Sequence, residues 1–152
     1  MKKIILLLTI LSYSYCGQYV FLVNKYDKEI ELEAKIIANI AASSMKEKIK
    51  LFIPKISQLE KKFYSKYFDI TEDCNSANFV FDKGKSSKLE CTKSNKLFFT
   101  NKYKKLIANS KYYGAFFWNK SRPNIVFIKQ RLINHGVQLP SEYKQFVEDF
   151  NE

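Results

Sequence analysis

Histidine, tryptophan, arginine, glycine and proline are scarce in this 152-residue chain, which has one His, one Trp, four Gly and three Pro. Of 26 basic residues only Arg122 and Arg131 are arginine; the rest are lysine. A single histidine, His135, and the lack of any Cys-x-x-Cys pair argue against a zinc centre. A hydrolytic nucleophile needs a base within reach. His135 stands beside Gly136 where a helical pattern stops, so it reads as a turn residue. Asp69, Glu72 and Asp73 cluster in a polar turn, where solvation accounts for them. Gly84-Lys85-Ser86 follows a strand, but a phosphate-binding loop would need a glycine at position 79, and Phe79 stands there inside the strand. Those three residues therefore read as a solvated turn. No cofactor fingerprint is present.

What the chain does have is apolar and aromatic residues, at 46% and 16% of the sequence, which excludes a disordered chain. Its length fits one domain, with enough core to fold without a metal. The N-terminus has the layout of a secretory signal. Met1-Lys2-Lys3 is a basic start, and Ile4–Ile10 is an apolar run interrupted only by Thr9. Ser14 and Cys16 put small residues three and one positions before a cut at Gly17. Two alternatives are a lipid anchor on Cys16 and an uncleaved membrane anchor over Ile4–Val23. Tyr15 weakens the first, and polar residues in the second half of the run weaken the second. The expected organisation is a signal peptide over 1–16, a leader over 17–26 and one α/β domain over 27–152.

Loss of the first sixteen residues removes Lys2 and Lys3 and no acid, leaving a net charge of about +9. Such a charge suits an anionic partner: a membrane surface touched peripherally at most, a cell-wall polymer, nucleic acid or a small anionic ligand. The competing account is compositional, since heavy Lys, Ile, Asn and Phe usage needs no ligand to explain it. Export argues against nucleic acid. Cys74 and Cys91 remain after cleavage, and an even count in an exported chain points to one disulfide, with free structural thiols as the alternative. The loop of roughly 17 residues would contribute about 3 kcal/mol.

The patterning alternates helices with buried strands. Asp27 opens a helical stripe of Ile30, Ala34, Ile37 and Ala41, widened by Ile36 and Ile40 and ended by Ser43-Ser44. Ile49–Ile53 alternates as a strand closed by Pro54. Ile56, Leu59, Phe63 and Tyr67 form a second stripe, with Glu60, Lys61 and Lys62 expected on the opposite, solvated face. Phe68–Ile70 is a possible short strand. Ala77–Phe81 and Leu97–Thr100 read as buried parallel strands, and Asn101 is a candidate cap for a helix carrying Tyr103, Leu106 and Ile107. Tyr112–Ile128 reads as a β-hairpin around a four-residue polar turn, Asn119–Arg122. Lys129–Asn134 is a helix that Gly136 stops. Pro140 suits the first turn of a last helix with Phe146, Val147 and Phe150 on its apolar side. The fold class expected is α/β, a three-layer Rossmann-like sandwich. Its mainly parallel sheet has about five strands and an antiparallel edge hairpin at about 112–128.

Four segments resemble the YfiR-like family of small periplasmic proteins: Glu31–Ile40 in the opening helix, Cys74 ahead of Asn78–Phe81, the hairpin Gly114–Trp118 with Asn124–Ile128, and the closing stretch Arg131–Leu139 with Glu142–Phe150. The likeness covers about residues 27–152 and is one of order and spacing. Ser121-Arg122-Pro123 and Phe116-Phe117-Trp118 depart from the pattern. The resemblance implies a periplasmic sensor or regulatory module rather than an enzyme. It would act by protein or small-ligand binding, as a homodimer or on a membrane signalling protein such as a diguanylate cyclase. It supplies no catalytic residues, and implies that Cys74 is a structural cysteine. Within the hairpin, Trp118, Lys120 and Arg122 are the candidate contact residues, because Trp and Arg are common interface anchors and the arginine fork grips carboxylate or phosphate. The alternatives are a small solute-binding protein for an anionic ligand and an enzyme of unknown class.

Overall fold

The computed structural model describes residues 16–85, 91–92 and 95–150. Residues 1–15, where most of the expected signal peptide falls, lie outside them. Contacts divide the chain into two units, Met1–Glu33 and Ala34–Glu152. Helix α1 runs over Cys16–Ser44, 29 residues. The expected leader over residues 17–26 is therefore helical. Its sequence contains no proline, and once a helix is nucleated each further residue adds a hydrogen bond. In the first unit Lys25 and Glu29 form an i,i+4 ion pair at 4.0 Å. Among the described residues no helix is long and apolar enough to cross a membrane.

The second unit is a seven-stranded sheet in the order β2-β1-β3-β4-β5-β6-β7. Its strands are β1 (Lys50–Phe52), β2 (Asp69–Ile70), β3 (Phe79–Asp82), β4 (Leu97–Thr100), β5 (Tyr112–Asn119), β6 (Arg122–Ile128) and β7 (Val147–Glu148). All neighbours are parallel except β5 and β6. This is the expected α/β class with a mainly parallel sheet. Two details differ from expectation. Among the described residues there are seven strands rather than about five, and β7 pairs with the far end of β6, so the hairpin is not a free edge. The last helix expected after Pro140 is instead a 3-10 turn, Ser141–Phe146, that delivers Val147 opposite Phe127. So short a segment gains more from ladder bonds to β6 than from an isolated helical turn.

Helices α2 (Gln58–Tyr64), α3 (Tyr103–Ala108) and α4 (Lys129–Asn134) connect the strands. The buried Ala34, Ile37, Ile40 and Ala41 continue the stripe of α1. Tyr64 of α2 packs on Phe81, and Ser44 of α1 bonds Tyr113, so both helices serve one face of the sheet. That face carries Phe79, Phe81, Phe99, Tyr113 and Phe127, with neighbouring rings 5.4–6.5 Å apart. Leu106 of α3 packs on the other face with Tyr112, Ala115, Val126 and Ile128. Gly114 lies between them in a place no side chain fits. A Cβ there would come within 2.5 Å of the Phe99 ring, 2.8 Å of the Val126 carbonyl and 2.9 Å of Phe127.

The glycine stop after α4 is a Schellman turn. Gly136 has φ +65°, its N–H donates to the Ile133 carbonyl (3.0 Å), and the Val137 N–H donates to Leu132 (2.9 Å). Asn101 does not cap α3. The cap position belongs to Lys102, whose N–H donates to Thr100 Oγ1 at 3.2 Å. Asn101 Oδ1 is instead buried without a hydrogen-bond partner among the described residues.

Candidate functional site

Three places gather polar chemistry. The first is the hairpin tip. Lys120 (φ +48°) and Ser121 (φ +61°) form a two-residue turn, tighter than the four-residue turn expected, and Asn119 pairs with Arg122. Trp118 is half-buried against Phe116, edge to face at 5.6 Å, and pairs across the hairpin with Pro123. Lys120 and Arg122 are exposed. The tip thus presents two cations without walls around them.

The second is the carboxyl edge of the sheet. Strand order reverses between β1 and β3, and ligands of open α/β sheets bind beyond the strand ends at such a point. Here two buried carboxylates fill the edge. Ser57 and Glu60 form a capping box at the start of α2. Glu60 is only 2% exposed, contrary to the solvated face expected for it. Its Oε1 lies 2.8 Å from Lys83 Nζ, and its Oε2 accepts from Lys85 Nζ (2.7 Å) and the Ser57 N–H (2.8 Å). Burial opposes its ionisation, but the two ammonium groups and Ser57 overcome that and hold its carboxyl down to about 2. Asp82, fully buried, accepts from Lys105 Nζ (2.7 Å), from the Tyr112 hydroxyl and from the Gly84 N–H (2.8 Å). Burial opposes its ionisation too, yet those donors keep it below the usual carboxylate range. The phenol of Tyr112 is pushed well above its ordinary value by burial and by Asp82. The loop after β3 therefore supplies two lysines to a buried acid, Lys85 from the segment expected as a solvated turn and Lys83 just before it, while residues 86–90 lie outside the described ones. These groups saturate one another, and the edge is an interlock between loops.

The third is a recess at the amino edge, where α1 ends. A cavity of about 290 Å³ is lined by Ser44, Lys46, Glu47, Asn78, Asn95, Lys96 and His135, with Met45 and Leu97. A second hollow of about 340 Å³ shares Ser44, Met45 and Lys46 with it and extends towards Gly136 and Gln138. Three residues of the first recess are held by hydrogen bonds. Asn78 accepts from the Lys50 N–H (2.8 Å) and donates to the Lys48 carbonyl (2.9 Å). Lys96 is 5% exposed, and its ammonium donates to the carbonyls of Ala77 (2.6 Å) and Asn75 (3.0 Å). Ser44 Oγ donates to Ile40 (2.8 Å), so the Tyr113 hydroxyl, 2.9 Å away, donates to Ser44. His135 lies edge-on to the Tyr113 ring with centroids 6.5 Å apart.

Cys74 and Cys91 are joined as a disulfide, with Cα atoms 5.6 Å apart. It adjoins this recess through Asn75, whose side-chain oxygen accepts from the Thr92 N–H (3.1 Å) and Oγ1 (2.9 Å) while its carbonyl holds Lys96. The structure does not bring Trp118, Lys120 and Arg122 to the recess. His135 is the turn residue its place beside Gly136 suggests, but that turn forms part of the recess wall. Lys96 and Asn78 gave no local signal at all. Among the described residues no group of three or more His, Cys, Asp or Glu could hold a metal.

Compared with known proteins, the chain matches no family model, no curated protein and no solved structure.

Proposed function

We propose that this chain is an exported sensory module that binds a small polar solute in the recess at the amino edge and reports it by contact with another protein. The observation that carries the reading is the recess itself. It is a half-open recess lined mainly by polar groups from the end of α1, the start of β3, the approach to β4 and the end of α4, three of which, Ser44, Asn78 and Lys96, are held by hydrogen bonds, and its volume suits a small solute. The Cys74–Cys91 disulfide is compatible with an oxidising compartment such as the periplasm. The likeness in element order to YfiR-like proteins supports a membrane signalling protein, such as a diguanylate cyclase, as the recipient of the signal.

The test is a thermal-shift screen of the oxidised chain against carboxylates, phosphate esters, amines, amino acids and sugars. A true ligand at a hundredfold excess over Kd stabilises by about 2.7 kcal/mol, or about 5–10 °C in a chain of this size. The shift should vanish in His135→Ala or Asn95→Ala. If no solute class moves the melting temperature, or if both variants respond as the parent does, the reading is wrong.

A further inference from the structure

Acidic residues are unevenly placed along this chain. From Cys91 to Ser141 there are ten lysines and arginines and no Asp or Glu. With 15 acids in 152 residues, about five would be expected in a stretch of that length. Heavy lysine usage accounts for the cations but not for the missing acids. The segment folds as one side of the sheet, β4, α3, β5, β6 and α4. Two acids from outside reach into it, and each is taken by a lysine: Asp82 by Lys105 (2.7 Å) and Asp149 by Lys129 (3.0 Å). Lys96 and Arg131 are buried on carbonyl groups. Lys102, Lys104, Lys120 and Arg122 are exposed and make no ion pair among the described residues.

Those four cations surround one projecting surface. The last β4–β5 pair is Thr100 with Ala115, and β7 pairs only with Phe127 and Ile128. The hairpin end therefore has no strand beside it among the described residues, and Phe116–Asn119 projects past β4 by roughly 13 Å. Phe117 packs on the α3 face of the sheet, its ring 5.7 Å from that of Tyr103. Side chains alternate along a strand and cross-strand partners share a face, so Asn119 and its partner Arg122 lie on the same side as Phe117. Trp118 turns to the other face, against Phe116. Lys102 and Lys104 flank Tyr103 at the start of α3, and Lys120 sits in the turn. Tyr103 itself is 39% exposed.

We propose that this surface docks the protein peripherally on an anionic lipid bilayer. Lysines near such a bilayer gain from the summed field of many headgroups and need no fixed partner. A tyrosine among them suits the headgroup layer, where its ring is covered and its hydroxyl stays wet. A protein or nucleic acid gripped at fixed carboxylates or phosphates would call for bidentate forks, and Arg122 is the one arginine here. The recess lies at the opposite, amino edge of the sheet, so the two proposals stand or fall separately.

The test is partitioning of the oxidised full chain onto sedimented vesicles, phosphatidylglycerol and phosphatidylcholine in equal parts against phosphatidylcholine alone. Binding should favour the anionic vesicles and fall as salt rises. Each Lys or Arg near an anionic surface is worth about fivefold, so Lys102→Gln with Lys104→Gln should weaken binding roughly 25-fold and Arg122→Gln about fivefold. Lys48→Gln with Lys61→Gln removes the same charge from pairs with Asp69 and Glu72, and should leave binding nearly unchanged. The apolar N-terminal run is common to parent and variants, so amine acylation on the vesicles localises the contact. Lys102, Lys104 and Lys120 should be protected relative to solution, and Lys48 and Lys61 should not. Equal weakening by the two double variants would reduce the effect to net charge and overturn the proposal. Equal protection of all five lysines, or of none, overturns it as well. Retention on polyglutamate or DNA without preference for the anionic vesicles would assign the surface to a macromolecular polyanion instead.

Discussion

Lys85 Nζ donates to Glu60 Oε2 at 2.7 Å, joining the loop after β3 to the first turn of α2 across 25 residues of chain. With Lys83 on the other oxygen and Ser57 beside it, this contact makes Glu60 a charged group that the folded state prefers to keep charged. Its folded pKa of about 2 is depressed from an ordinary 4.5. A depressed acid stabilises above its unfolded pKa and loses that contribution as pH falls through the folded value. The contribution is on the order of 3 kcal/mol. Urea midpoints of the oxidised chain should therefore drop steeply between pH 4.5 and pH 2. Glu60→Gln should be less stable than the parent at pH 7, with a flatter profile over that interval. A variant profile parallel to the parent's would show that Glu60 does not govern acid unfolding.

Arg131 stands in an otherwise ordinary amphipathic run, yet it is 4% exposed. Its Nη1 donates to the carbonyls of Leu106 (2.7 Å), Asn109 (3.1 Å) and Tyr112 (2.9 Å), closing the end of α3 against the start of β5. Arg131→Met keeps much of the apolar stem and removes the donors, leaving buried carbonyls unmet. The expected loss is roughly 3 kcal/mol in equilibrium denaturation. Arg131→Lys should recover only part of it, because one ammonium lacks the planar fork. A loss below 1 kcal/mol would mean that water replaces the guanidinium.

These cases mark what local sequence can and cannot carry. Pro54, Gly136 and the alternation of Ile49–Ile53 act within a few residues of themselves, so the boundaries they set are legible. The buried runs Phe79–Phe81 and Leu97–Phe99 announce central parallel strands for the same reason. Lys96 and Arg131 look like solvated charges because their partners lie 19–25 residues away; Glu60 has a local signal in the Ser57–Glu60 capping box, but the lysines that bury it come from 23 and 25 residues on. Burial of a charge is decided by tertiary geometry, which periodicity does not report. The two-residue strand β7 is invisible for a related reason: Val147 and Glu148 have no strand pattern of their own and take their conformation from β6. The recess is least legible, since its walls come from four segments and its one rare residue, His135, is placed by a turn.

Gly114 and Gly136 make a controlled pair. At Gly114 the obstacle is space, with three atoms inside 3 Å of an added Cβ. Gly114→Ala should cost about 1–3 kcal/mol through displaced aromatic rings and backbone. At Gly136 nothing lies within 4 Å of an added Cβ, but φ is +65°. Gly136→Ala should cost about 1–2 kcal/mol from backbone strain alone. A second change separates the mechanisms: trimming Phe99→Leu should lessen the penalty at Gly114 and leave that at Gly136 unaltered. Measured additivity at both sites would reject the crowding account.

The turn joining β5 and β6 offers a stabilising test. Lys120 and Ser121 both occupy the left-handed region, at φ +48° and +61°, in a two-residue loop that favours Asn-Gly. Residues with a Cβ are strained there, whereas glycine is not. Glycine also loosens the unfolded chain, which returns part of the gain. The double change Lys120→Asn with Ser121→Gly should leave a net stabilisation of about 1 kcal/mol, or roughly 2–4 °C in melting temperature. Because Trp118 and Arg122 flank the turn without entering it, the variant keeps both candidate contact residues in place and removes only the Lys120 charge. Capture of a membrane partner by the parent, lost in this stabilised variant, would assign the contact to Lys120. Capture that survives here but fails in Trp118→Ala and Arg122→Ala would assign it to the strand ends. If the melting temperature falls instead, the left-handed turn is held by interactions of Lys120 or Ser121 that the substitutions remove, and the strain account of the turn is wrong.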